Sequence, residues 1–242
     1  MRQTNDTAIV LRYADYREND RMLTLFSPTK GRLEAMSRGC RRPKSPLVAA
    51  SEVFALGDYE LYEKGGRLTV TTASLIETFY PLRTDYDRLA VGAYLLALCE
   101  AVIQPGVEAQ ELFMLLLHTL SRLAFTDQPW RPLLSGFLLH FAGCEGRRPQ
   151  LEACVRCGQT IAPDAAAWLD PAEGGLCCAD CREKGMRPVS AAQIAWMRMA
   201  IASGSASWVD TPERHAPLEA LRAFAEFGLD VPLRAASMLP KT

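Results

Sequence analysis

The chain has 242 residues, 49% of them hydrophobic, with a formal net charge of -1 and a sequence pI near 6.3. That is enough chain to bury a sizeable core in one large domain or in two to three small ones. The near-neutral balance excludes a basic character spread over the whole protein, so any affinity for nucleic acid has to come from a local patch. Residues 1–80 carry 12 Lys/Arg against 10 Asp/Glu, residues 81–150 carry 6 against 7, and residues 151–242 carry 9 against 11. The amino-terminal third is therefore where a positive patch is to be sought.

From Thr7 to Glu77 the sequence reads as short β-type runs separated by turn residues: Ala8 to Tyr13, Met22 to Phe26, Arg32 to Met36, Glu52 to Leu56 with Tyr59 to Tyr62, and Leu68 to Thr72. Leu23/Leu25 and Leu68/Val70 alternate with polar neighbours, as in half-buried strands, and Gly31, Gly39, Gly57 and Gly65-Gly66 fall where hairpins would turn. Five short strands in about 80 residues predict a small barrel of the OB class. Alternation makes Tyr13 and Phe26 the aromatic members of its core, while Tyr16, Tyr59 and Tyr62 are candidates for stacking on unpaired bases.

After Pro81 the period becomes helical. Leu89, Tyr94, Leu95, Leu98 and Val102 share one face, then Leu112, Leu115, Leu116, Leu120 and Leu123 another, with Pro105-Gly106 between them. A third helix is predicted from Pro132 to Cys144. Ser190-Ala-Ala-Gln193 has the form of a capping box for a helix containing Ile194, Met197 and Ile201, and a last helix is predicted over about His215 to Phe227.

Between these helices lie Cys154-Val-Arg-Cys157 and Cys178-Ala-Asp-Cys181, separated by twenty residues. This is zinc-ribbon spacing: each pair forms a knuckle whose sulfurs point to one side, and four thiolates complete a tetrahedron around one structural Zn²⁺. A closed tetrathiolate leaves no position for a reactive water. Cys177 is an alternative third ligand, but Cys178 completes the two-residue spacing. The expected domains are thus a barrel over 1–80, a helical body over 81–150 and 188–242, and a metal module over 151–187 inserted in that body, an α+β multidomain fold.

Catalytic motifs are missing. The sequence contains no Gly-x-x-x-x-Gly-Lys-[Ser/Thr] phosphate loop, no His-Glu-x-x-His and no Gly-x-Ser-x-Gly, and neither cysteine pair follows the proline of the zinc deaminases. His118 and His140 sit in dense apolar helices as core or boundary residues. Asp85 and Asp87 precede a helix and read as caps or first-turn charges. We therefore expect no enzyme. No apolar run approaches the roughly 18 residues of a membrane span. The opening Met1-Arg2-Gln3-Thr4-Asn5-Asp6 has no apolar signal core, and Cys40, Cys99 and Cys144 are scattered. A reducing cytoplasm is the expected location.

The segment between Glu34 and Glu52, joining the third and fourth strands, holds Arg38, Arg41, Arg42 and Lys44 without an acid. Four cations on one loop suit phosphates, with an affinity that falls steeply with salt.

Ala8-Ile-Val-Leu-Arg12, Tyr16-Arg-Glu-Asn-Asp20-Arg-Met-Leu-Thr-Leu-Phe26-Ser27, Lys30-Gly-Arg32 and Arg38-Gly-Cys-Arg-Arg-Pro-Lys-Ser45 resemble the RecO family of bacterial DNA-repair mediators. The order of domains agrees along essentially the whole chain. The resemblance implies an OB-fold, a helical body and an inserted four-cysteine zinc module. It further implies binding to single- and double-stranded DNA, association with RecR, annealing of strands coated by single-stranded-DNA-binding protein, and help in loading RecA, in the cytoplasm and at the nucleoid. In the family the coating protein's acidic tail docks on the helical body, for which Arg122 and Arg131 are candidates. The competing reading is a zinc-ribbon RNA-binding protein of translation or transcription.

Overall fold

A computed structural model of the chain describes residues 2–204, 215–229 and 233–240. They belong to two compact units, residues 1–120 with 233–242 and residues 121–232.

The first unit is built on five strands, β1 (Arg2–Tyr16), β2 (Asp20–Ser27), β3 (Gly31–Ser37), β4 (Leu56–Lys64) and β5 (Arg67–Glu77). They close into a barrel in the order β1-β2-β3-β5-β4. Strand β1 is long enough to serve two neighbours. Its first half pairs with β4 from Arg2↔Glu63 to Ile9↔Leu56, and its second with β2 from Ile9↔Phe26 to Tyr16↔Asp20, across an irregularity between Val10 and Arg12 that bends the strand. Closure comes from a short parallel pairing of β3 with β5, Ala35↔Leu68 to Ser37↔Val70. This is an OB-fold. Period-two alternation puts Ala8, Val10, Leu23, Leu25, Ala35, Leu61 and Val70 inside.

Three sequence expectations need correction here. Strand β4 begins only at Leu56, so Glu52 to Ala55 is not a strand. A 3-10 turn over Ala49–Ser51 leads into it, and Phe54 takes a left-handed backbone (φ 71°), so the segment crosses β1 by exchanging hydrogen bonds with Val10 (Val10 N to Ala55 O, 2.9 Å; Phe54 N to Val10 O, 3.0 Å). Gly57 lies within β4 rather than at a turn, where a Cβ would come 2.6 Å from the Ser74 carbonyl. Tyr59, expected among the stacking candidates, is fully buried in the core and its hydroxyl donates to the Ala50 carbonyl at 2.8 Å, while Tyr13 is half-buried and packs against that core with the Arg21 guanidinium 3.7 Å from its ring centre. Phe26 is in the core, as alternation predicts.

Helix α1 (Tyr86–Val102) starts at Asp85, whose carboxylate accepts from Arg88 N at 3.1 Å. It is tied to β1 by the Arg12–Glu100 ion pair. The connection to α2 (Gln110–Phe125) lies along the β2–β3 turn through Arg32 N to Gln104 O (3.3 Å), Gly106 N to Lys30 O (2.9 Å) and Ala109 N to Pro28 O (2.9 Å). The Phe113 ring meets Phe26 edge to face at 5.2 Å.

In the second unit, α3 (Trp130–Cys144) packs against α5 (Leu218–Glu226), which begins three residues later than the periodicity predicts. Arg147 donates to the carbonyls of Phe227 (2.5 Å) and Ala225 (3.1 Å), satisfying the end of α5 as a cation there should. Helix α4 (Ala191–Ser203) has the predicted capping box from Ser190 and Gln193. The inserted module is a small antiparallel sheet of β6 (Ala167–Asp170), β7 (Gly175–Cys177) and β8 (Arg187–Val189), in the order β7-β6-β8. Among the described residues no helix is long and apolar enough to cross a membrane.

Candidate nucleic-acid interface and metal centre

The basic loop leaves β3 at Ser37 and returns at Ser51, and the hydroxyls of these two buried residues bond at 2.8 Å beneath it. Above that closure the backbone runs through successive turns, Arg42 N to Gly39 O, Ser45 N to Arg42 O and Val48 N to Ser45 O, at 3.1 to 3.3 Å. Cys40 and Leu47 drop into the barrel core. Gly39 N donates to Asp20 Oδ1 (2.8 Å) and Arg41 N to Asn19 O (3.1 Å), which moors the loop to the β1–β2 turn. The loop is thus a fixed platform, with Arg38, Arg41, Arg42 and Lys44 exposed on its outer side.

A groove of about 460 Å³ opens beside it. The β1–β2 turn contributes Tyr16, Arg17 and Asp20, strands β2 and β3 contribute Met22, Glu34 and Met36, Arg38 comes from the loop, and the β4–β5 turn brings Gly66, Arg67, Leu68 and Thr69. Loops 1–2 and 4–5 with the strand 2–3 face form the usual ligand surface of an OB-fold. Exposed Tyr16, with the Arg17 guanidinium 5.3 Å from its ring centre, provides an aromatic plane beside a cation.

The charges in this region are unevenly spent. Asp20 is occupied by Gly39 N, and Glu34 accepts from Thr24 Oγ1 at 3.0 Å and faces Arg12 at 4.0 Å. Among the described residues, Arg17, Arg38, Arg42, Lys44 and Arg67 form no ion pair, whereas Arg41 Nη1 lies 3.4 Å from Asp15 Oδ2. A local excess of positive charge remains on a protein of net charge -1, which suits a polyanion. The sequence named the loop cations and Tyr16 as candidates; the groove adds Arg17 and Arg67, which the sequence did not name. The signal that would have found them is their place in the two hairpin turns that OB-folds use for binding.

Cys154, Cys157, Cys178 and Cys181 bring their sulfurs within 4.8 Å of one another. The first knuckle is closed by Cys154 N to Gln159 O (2.8 Å) and Gly158 N to Cys154 O (2.9 Å), with Gly158 at φ 76°. The Cys157 and Cys178 sulfurs are 3.8 Å apart, matching the about 3.8 Å edge that a tetrahedron with Zn–S bonds of about 2.3 Å requires. Burial would raise the Cys154 thiol, but the backbone amides of Cys157, Cys178 and Arg156 outweigh it and bring the group down to about 6. Hydrogen bonds to Cys178 and Cys157 push the Cys181 thiol the other way, up to about 12, so it is the four gathered sulfurs, not the ionisation of any one of them, that fit a soft divalent ion.

Cys177 stands apart. It is fully buried, its sulfur is directed to Asp170 Oδ2 at 3.9 Å, and burial pushes its thiol up to about 11. Cys178 is therefore the member of the cluster. Arg156, inside the first knuckle, donates to Asp170 Oδ2 at 2.9 Å and pairs with Glu183 just beyond the second. His140, in α3, is half-buried, and burial lowers its pKa. Arg122 Nε donates to Gln128 Oε1 at 2.9 Å, and Arg131 lies over the Trp130 ring.

Residues 1–79 match the family described as Recombination protein O N terminal, and residues 83–236 match Recombination protein O C terminal. A "DNA repair protein RecO" of Anaeromyxobacter sp. (strain K) is 32% identical over 242 residues, 96% of this chain and 94% of the relative. Relatives of the same name from Alkaliphilus metalliredigens and Acetivibrio thermocellus are 37% and 30% identical over 173 and 192 residues. Those alignments span 71% and 78% of this chain and 69% and 76% of the respective relatives.

Proposed function

The chain belongs to the RecO family of DNA repair proteins, and from that membership we propose that it is a recombination mediator without catalytic activity. In this reading it binds single- and double-stranded DNA and anneals complementary strands coated by single-stranded-DNA-binding protein. With RecR it promotes the loading of RecA. Residues 1–80 form the DNA-binding module, residues 81–150 and 188–242 the body on which the coating protein's tail docks, and residues 151–187 a module held by one structural Zn²⁺ on Cys154, Cys157, Cys178 and Cys181.

The observation that carries the reading is the set of cations that form no ion pair among the described residues, Arg38, Arg42 and Lys44 on the loop with Arg17 and Arg67 in the adjoining groove. Annealing requires two polyanions to approach each other. Cations that neutralise the backbones release counterions and lower that barrier, while the bases stay free to pair. No nucleotide hydrolysis is needed. Bound Zn²⁺ supplies folding energy to its module and leaves no open coordination position.

The test is annealing, without ATP, of complementary strands precoated with single-stranded-DNA-binding protein. Wild-type protein should anneal them, and a folded Arg41→Glu/Arg42→Glu variant should not. A wild type unable to anneal would sink the mediator reading and favour an RNA-binding ribbon protein.

A further inference from the structure

We propose that Asp15 sets the affinity of the basic loop, its carboxylate holding Arg41 until a phosphate of a bound strand takes its place. The inference rests on the reading that the loop binds DNA.

Asp15 lies near the end of β1, opposite Arg21 of β2 in the barrel register. Each of its oxygens faces a different guanidinium, Oδ1 accepting from Arg21 Nε at 3.2 Å and Oδ2 facing Arg41 Nη1 at 3.4 Å. The two arginines differ in what else holds them. Arg21 has a side chain only 13% exposed, donates to Ser51 O (3.1 Å) and Glu52 Oε1 (2.7 Å), and stacks over Tyr13. It is fixed, so Asp15 keeps its place whether or not Arg41 is present. The side chain of Arg41 is 39% exposed and Asp15 is its one ion-pair partner among the described residues. Its backbone is anchored at Asn19 O, but its charged end is free to exchange partners.

An exposed pair of this kind is worth about 0.2 to 1 kcal/mol, which is small enough for phosphate to displace. A lone phosphate gains little by doing so, because one ion pair replaces another. A strand already held by Arg38, Arg42 and Lys44 presents its next phosphate at a high effective concentration and can take Arg41 from the carboxylate. Asp15 therefore selects for a continuous polyanion over small anions. Of the loop's four cations, only Arg41 has an ion-pair partner among the described residues.

The experiment is fluorescence anisotropy of a labelled oligo-dT against NaCl concentration for wild type, Asp15→Asn, Arg41→Gln and the double variant. Glu108→Gln, an exposed acid on the α1–α2 connection, serves as a control of equal charge change. Asp15→Asn should tighten binding about two- to five-fold and leave the log–log salt slope close to that of wild type, because the Arg41–phosphate contact forms in both complexes. Arg41→Gln should cost more in the Asp15→Asn background than in wild type, and Glu108→Gln should change neither quantity. Equal effects of Asp15→Asn and Glu108→Gln, or a gain that survives Arg41→Gln, would overturn the inference and leave the DNA-binding reading standing. Weaker binding by Asp15→Asn, repeated with Asp15→Ser, would show a supporting role only and also overturn it. A wild type with no salt-dependent binding would overturn both.

Discussion

Ser37 and Ser51 meet hydroxyl to hydroxyl at 2.8 Å, both buried, at the point where the basic loop leaves the barrel and returns to it. The thirteen residues between them, which carry the four loop cations, thus leave and re-enter the barrel over this internal hydrogen bond. Changing one serine strands the other hydroxyl in the core, a cost of about 1 to 3 kcal/mol, while removing both partners leaves no unsatisfied group. Urea unfolding should show Ser37→Ala and Ser51→Ala each less stable than wild type, with the double variant recovering part of the loss. Additive losses would mean that the bond contributes nothing.

The groove makes a prediction separate from that of the loop. Tyr16 offers an aromatic plane, and stacking of a base is worth about 1 to 3 kcal/mol, but the bases of a duplex are not free to stack on it. Tyr16→Ala should weaken binding to single-stranded DNA by roughly ten-fold, about 1.4 kcal/mol, while changing duplex affinity little. Arg67→Ala should weaken both and flatten the salt slope by about one released counterion. Titrations of the two DNA forms over a salt series measure all four effects, and equal losses on both forms from Tyr16→Ala would argue against stacking.

Cysteine substitutions separate ligand from neighbour. Cys157→Ser removes one of four clustered sulfurs and should lose bound zinc and soluble yield together, because a site made of long-range contacts contributes its binding energy to folding. Cys177→Ser replaces a buried thiol that faces Asp170 and should keep a full equivalent of zinc with only a modest stability loss. Metal content of the purified proteins by mass spectrometry decides it. Zinc lost from Cys177→Ser but kept in Cys178→Ser would reverse the assignment.

The sequence made these features legible to different degrees, for physical reasons. The strands of the barrel, the capping box at Ser190 and the cysteine knuckles were readable because each is a local pattern: alternation, a three-residue spacing, a two-residue spacing. Tyr59 was misplaced because both faces of β4 carry aromatics, and only closure of the barrel decides which faces inward. The crossing at Phe54 was unreadable because a left-handed bulky residue is held by its tertiary partner Val10, not by its own preference. Arg17 and Arg67 lie fifty residues apart and become neighbours of one groove only when the first and last hairpins meet.

Gly31 tests how the barrel is joined to the α1–α2 connection. It opens β3 at φ 62°, a left-handed conformation that costs a residue with a Cβ about 1 to 2 kcal/mol. A Cβ there would lie 2.1 Å from the Gln104 carbonyl oxygen and 2.6 Å from that of Val107. Both obstacles are backbone, and the connection that carries them is hydrogen-bonded to the same turn at Pro28, Lys30 and Arg32, so neither side can yield without breaking those bonds. Strain and overpacking together predict that Gly31→Ala destabilises the protein by about 3 kcal/mol, read as a lower urea midpoint. Gly65→Ala has the same left-handed strain (φ 58°) but nothing within 4 Å of its Cβ, so its loss should be limited to the conformational part. Equal losses at the two glycines would mean that the close approach of the connection is not what requires Gly31.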